Sequence, residues 1–188
     1  YSTGDWQWIA STSGNTQHAL RPYASRLIPG RFDGGADLLL GVASWTTLFR
    51  FDTTANDWVW VDSDYGTTND SAHPLSALRP YAGSVVVGDF DGNGRDEILG
   101  FAGIAANSWV TLFGTRGGPL EWLISNYDSE AVLSGIMPYQ SRLIVGDFDG
   151  DTDRVLGLAT HAAMFGAAGE DFARMWGSGR PVLAGFTV

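Results

Sequence analysis

The sequence predicts an all-β fold assembled from internal repeats, and three observations carry that expectation. Pro22, Pro80 and Pro138 recur at a step of 58 residues, from 22 to 80 and from 80 to 138, and Phe32, Phe90 and Phe148 keep the same step. The stretches around them, "RPYASRLIPGRFDGGADLLLG", "RPYAGSVVVGDFDGNGRDEILG" and "MPYQSRLIVGDFDGDTDRVLG", superpose with the prolines in register, the second having one more residue after its Phe. Within each copy the apolar residues form short β-branched or aromatic runs with partial alternation, punctuated by Gly, Asn, Asp and Pro, which is strand and turn chemistry. A repeat of this length sets the architecture before any single element is assigned.

Taken in order, residues 5–11 ("DWQWIAS") copy the runs "DWVWVDS" and "LEWLISN" that close later repeats, and so predict a strand that completes a blade. The repeats follow at roughly 22–79, 80–137 and 138–188. In the first copy four strands are expected over Arg26–Phe32, Asp37–Ala43, Thr46–Asp52 and Trp58–Ser63, with Phe32, Phe90 and Phe148 as core residues inside the first strand of each copy. The third strands align as "SWTTLFR", "SWVTLFG" and "THAAMFG" from Ser44, Ser108 and Thr160. "AAMFGAAGEDFARMW" has the composition of a helix, yet its match to the other copies predicts strands. The final "GRPVLAGFTV" echoes "SRLIPGRF", a fourth copy of the first strand.

About 58 residues holding four antiparallel strands is the size of a β-propeller blade, so a single domain of β-propeller-type repeats is expected. Three copies and part of a fourth leave strand edges and sheet faces to cover, which predicts a homo-oligomer.

The formal net charge of −10 argues against nucleic acid or anionic membranes as partners through a basic surface. Cysteine is absent, which excludes disulfides and thiolate metal sites. No apolar run approaches the roughly 18 residues of a membrane span, so no membrane insertion is expected.

The acidic loop of the second copy is the densest chemical signal. Asp89, Asp91 and Asn93 fall at alternate positions, Arg95 offers a backbone carbonyl two residues on, and Glu97 closes the series, with Asp96 as an alternative last ligand. Calcium takes six to eight oxygens at about 2.3–2.6 Å, and alternate residues of a tight Gly-containing loop converge on one point. The third copy keeps Asp147, Asp149, Asp151 and Asp153 with one residue fewer before the next strand, an altered site. The first copy has Arg31 in place of the leading aspartate and keeps only Asp33 and Asp37, so no calcium is expected there.

At "GDFDGNGRDEILG" and "GDFDGDTDRVLG" the chain resembles FG-GAP/VCBS-type repeats, the calcium-looped blades of integrin α-chain heads and of propeller lectins. The resemblance spans the three copies. It implies propeller blades, structural Ca²⁺ and, from the lectins, binding of glycans.

Aromatic residues make up 13% of the chain. Trp45, Trp109 and His161 share one repeat position, each beside a hydroxyl residue, and an aromatic face flanked by polar groups suits the apolar C–H face and hydroxyl rim of a sugar. Arg26 and Arg142 on the neighbouring first strand are expected to supply hydrogen bonds to it. Trp8, Trp60 and Trp122 share another position, read as packing between blades, and Tyr23, Tyr81 and Tyr139 read as turn structure.

Enzyme signals are poor. The three histidines have no metal-ligand spacing, and no nucleophile motif or phosphate loop occurs. The acid pairs Asp62 and Asp64, and Asp128 and Glu130, read as solvated turn residues rather than a glycosidase dyad. The expectation is a non-enzymatic, lectin-like β-propeller protein, secreted or on the cell surface, multivalent for glycans or glycoproteins. The alternatives are a protein-binding adhesin or toxin module, or an accessory domain of a secreted hydrolase.

Overall fold

The computed structural model describes residues 16–65, 73–103, 108–115, 120–128, 131–148, 150, 152–160, 162–168 and 171–176. The expected strand at 5–11 and the closing echo at 179–188 lie outside them, as do Trp8, Glu130, Asp149, Asp151 and His161.

Among the described residues the chain is all-β, with three antiparallel four-stranded sheets, each an up-and-down meander. The first holds β1 (Leu27–Gly30), β2 (Leu38–Val42), β3 (Thr46–Asp52) and β4 (Asp57–Ser63). The second holds β5 (Val85–Gly88), β6 (Glu97–Ala102), β7 (Trp109–Gly114) and β8 (Glu121–Ser125). The third holds β9 (Leu143–Asp147), β10 (Asp153–Leu158), β11 (Ala162–Ala168) and β12 (Asp171–Trp176), so the alanine-rich run is two strands, as its match to the other copies predicts. Ladder registers repeat with the sequence: Leu27 faces Gly41, Val85 faces Gly100 and Leu143 faces Gly157. A bulge also recurs, after Leu48, Leu112 and Met164. It inserts one residue into the outer strand, which is why alternation there is only partial.

The first strands of successive sheets lie beside one another, β1 next to β5 and β5 next to β9. One core cluster joins the first sheet to the second through Phe32, Leu40, Ile98 and Phe113, and another joins the second to the third through Phe90, Leu99, Val155 and Phe165.

The Pro-Tyr turns explain the repeat's most regular feature. Each ends a 3-10 turn (Thr16–Tyr23, Pro74–Tyr81, Met137–Tyr139) and drops its ring onto a glycine of the second strand. A Cβ on Gly41, Gly100 or Gly157 would stand 2.5, 2.8 or 2.6 Å from a carbon of Tyr23, Tyr81 or Tyr139. The Tyr23 and Tyr81 hydroxyls bond to Thr47 and Thr111 at 2.7 and 2.6 Å, and these threonines bond to Ser63 and Ser125. All three tyrosines are buried, so their role is structural. Because Tyr81 is pinned at its hydroxyl, it has little room to retreat. Gly100→Ala is therefore expected to destabilise the fold by about 1–3 kcal/mol, read as a lower denaturation midpoint with an unchanged slope.

The structure corrects four sequence expectations. β1 ends at Gly30, and Phe32, Phe90 and Phe148 lie beyond their strands. In the first two copies the N–H after the strand, of Arg31 and of Asp89, donates to Asp96 and Asp153 of the following sheet at 2.7 and 3.0 Å instead of extending its own ladder. Phe32 and Phe90 are core, but Phe148 is 49% exposed, because the sheet that follows each copy covers that ring and none follows the third among the described residues. Trp60 and Trp122 do not pack between sheets: on the outermost strands they remain 49% and 45% exposed, edge-on to Phe49 and Phe113. Asp64 is not a solvated acid. It is buried, accepts the Thr46 N–H at 2.7 Å and pairs with Arg79 at 2.6 Å, tying the first sheet to the turn that leads into the second.

Candidate metal centre and aromatic face

The β5–β6 loop is shaped by its own side chains. Gly92 and Gly94 adopt φ of +76° and +82°, conformations that cost a residue with a Cβ. The Asn93 N–H donates to Asp91 Oδ1 at 3.0 Å, the Arg95 N–H to Asn93 Oδ1 at 2.8 Å, and the Gly94 N–H to Asp89 Oδ2 at 2.9 Å. From the start of β6, Glu97 folds back and accepts the Phe90 N–H at 2.9 Å. Carboxylate oxygens of Asp89, Asp91 and Glu97 thereby come within 4.8 Å of one another.

Two features of that cluster are costly as they stand. Glu97 is 2% exposed, and burial, reinforced by the charges of Asp91 and Asp89, pushes its carboxyl up to about 8. Asp89 Oδ1 is buried without a hydrogen-bond partner among the described residues. An all-oxygen donor set, a buried acid and an orphaned carboxylate oxygen make a cluster that could hold a metal ion.

Asp96 is not part of the cluster. Its carboxylate accepts the Arg31 N–H, and its own N–H donates to the Arg31 carbonyl at 3.2 Å, bridging two sheets. Asp153 does the same one sheet later: Oδ2 accepts the Asp89 N–H at 3.0 Å and its N–H donates to the Asp89 carbonyl. In the third loop Asp147 Oδ1 accepts the Gly150 N–H at 2.6 Å. Arg154, buried, occupies the position that Glu97 holds in the second copy and Leu38 in the first. Among the described residues, a buried acid at that position belongs to the second copy alone.

The aromatic positions gather at the opposite end of the sheets, where β1 begins, β2 turns into β3 and β4 ends. Trp45 meets Tyr65 edge-on at 4.8 Å between ring centroids, and Tyr65 meets Trp60 at 5.8 Å. The second sheet repeats the pairing, with Trp109 and Tyr127 at 6.0 Å. Trp45 and Trp109 are half-buried, while Tyr65 and Tyr127 are exposed. Beyond β4 and β8, the Tyr65 and Tyr127 N–H groups donate to Ser63 Oγ and Ser125 Oγ at 3.1 and 3.2 Å.

Tyr65 and Tyr127 escaped the sequence reading. The signal was present: "SDY" and "SNY" end the two fourth strands at equivalent places. Arg26 and Arg142 are exposed at the starts of β1 and β9, at this same end. Arg26 borders an open hollow of about 410 Å³ between the three first strands, which also takes in Ser25, Ser84, Gln140 and Ser141.

Compared with protein families, curated proteins and solved structures, the chain matches none. Among the described residues, no helix is long and apolar enough to cross a membrane.

Proposed function

We infer that this chain is a non-enzymatic carbohydrate-binding protein of FG-GAP/VCBS-type β-propeller blades, braced by calcium and acting outside the cell or on its surface. The observation that carries the reading is the pair of repeat-equivalent aromatic groups, Trp45 with Tyr65 and Trp60, and Trp109 with Tyr127, each setting a half-buried indole against an exposed tyrosine. Rigid rings beside hydroxyl and amide groups stack on a pyranose with little ordering cost. Two equivalent weak sites raise avidity by orders of magnitude on a glycan-covered surface. The neighbouring first strands and the sheet-to-sheet cores support the propeller-type arrangement.

Calcium would be held by Asp89, Asp91 and Glu97, with Asn93 and the Arg95 carbonyl completing the oxygen set. There it would neutralise a loop whose acids otherwise repel, and it would brace the link from β5 to β6. Arg154 supplies a fixed positive charge to the third loop, so the second loop is the one we assign.

Glu97 gives the assignment a pH signature. Without calcium its carboxyl is raised in the fold from an ordinary 4.5 to about 8, so the folded chain keeps a proton that the unfolded chain releases. That contribution is fully present below the ordinary value and is lost as pH rises through the raised one. Thermal melts in chelator are expected to show stability falling over that window, and Glu97→Gln is expected to flatten the fall. Calcium competes with the same proton, so its affinity rises with pH across the window.

The sugar reading is tested by titrating soluble saccharides while following tryptophan emission, since the rings involved are partly exposed. A saturable shift of the emission maximum is expected with at least one sugar. A spectrum unmoved by every sugar tried counts against this face as the site.

A further inference from the structure

The β5–β6 loop holds the chain's single Asn–Gly bond, between Asn93 and Gly94; the other five asparagines precede larger residues. An asparagine amide carbon lies within reach of the nitrogen of the next peptide, and a glycine there brings no Cβ to crowd the approach. The fold leaves this pair open. Asn93 and Gly94 are both exposed, Gly94 holds φ at +82°, and a Cβ on it would meet nothing within 4 Å. Asn93 Oδ1 accepts the Arg95 N–H at 2.8 Å, which folds the side chain back around the Gly94 peptide. The Gly94 N–H donates to Asp89 Oδ2 at 2.9 Å and Asn93 Nδ2 donates to Asp91 Oδ2 at 2.8 Å, so both nitrogens face a carboxylate. Asn126 is placed differently. It precedes Tyr127, and its amide is committed away from that peptide, accepting the Val110 N–H at 2.8 Å and donating to Ser134 Oγ at 3.1 Å.

We propose that Asn93 is a self-modification site, converted through a cyclic imide to aspartate or isoaspartate. The Gly94 nitrogen bonds to Asn93 Cγ and gives its proton to the carboxylate it already faces. The Cγ–Nδ2 bond breaks, and the amide nitrogen takes up a proton and leaves as ammonia. Water then opens the imide: cleavage at Cγ gives aspartate, and cleavage at the backbone carbonyl gives isoaspartate, with no change of oxidation state. Either product adds a negative charge beside Asp89, Asp91 and Glu97. The consequence for the cation rests on the calcium reading above. Aspartate supplies a further carboxylate, whereas isoaspartate routes the backbone through the side chain and breaks the alternate spacing of the ligands. A cation held by Asn93 Oδ1 fixes that side chain and slows the reaction.

The test holds the full chain in chelator at neutral pH and maps its peptides over time, with aspartate and isoaspartate resolved and circular dichroism confirming the fold. Asn93 is expected to convert ahead of every other asparagine, to both products, and at least as fast in the native chain as in the urea-denatured one. A native chain that keeps the Asn93 amide while the denatured chain loses it overturns the proposal, as does another asparagine that converts first. A parallel series in calcium separates the two readings. Conversion slowed by calcium supports both, while equal conversion in calcium and chelator supports the modification and counts against Asn93 as a ligand.

Discussion

Calcium is expected to raise the melting temperature of the wild-type chain and to leave that of Asp89→Ala nearly unchanged. A ligand that binds only the folded state adds RT ln(1 + [L]/Kd), about 2.7 kcal/mol at a hundredfold excess over Kd. For a chain of this size that corresponds to roughly 5–11 °C. Asp89→Ala removes the carboxylate whose Oδ1 is buried and unpartnered, and with it the Oδ2 that accepts the Gly94 N–H. The variant is therefore expected to melt near the chelated wild type, with the calcium response as the difference between them. Equal melting curves with and without calcium in the wild type would remove the structural role assigned to the loop.

Replacing Trp45 and Trp109 together by alanine is expected to weaken binding to immobilised glycan about tenfold or more while the fold survives. Each ring contributes on the order of 1 kcal/mol beyond its area term, and the loss multiplies across equivalent sites. Both rings are only half-buried and lie at the end of the sheets away from the acidic loop, so the calcium response is expected to persist. Tyr65→Ala and Tyr127→Ala remove the exposed partners without touching the core hydroxyl chain and are expected to weaken binding to a smaller degree. Undiminished binding by a folded double tryptophan variant would place the site elsewhere, with the hollow bordered by Arg26 and Ser84 as the next surface to test.

The sheets were legible because the repeat writes the same physical problem three times. A glycine paired with the Pro-Tyr ring, an apolar run on either side and a turn of Asp and Gly recur in register, and each copy folds as the others do. What was not legible depends on neighbours rather than on local pattern. Phe148 matches Phe32 and Phe90 letter for letter, yet its burial is decided by whether another sheet follows. Trp60 and Trp122 read as packing residues because they are large and apolar, but an outermost strand has no sheet beyond it. Asp96 and Glu97 are adjacent acids, so their division of labour is set by strand phase: one points across to Arg31, and the other turns inward under the loop. Asp64 looked like a turn acid until Arg79, 15 residues on, closed over it.

A glycan array probed with labelled wild-type chain, in calcium and again in chelator, tests the central reading most directly. Binding to a related set of glycans is expected in calcium, weakened in chelator as the braced loop loosens, and lost in either condition in the Trp45→Ala, Trp109→Ala variant. A folded, calcium-responsive chain that binds no glycan on the array would contradict it and point to a protein-binding module.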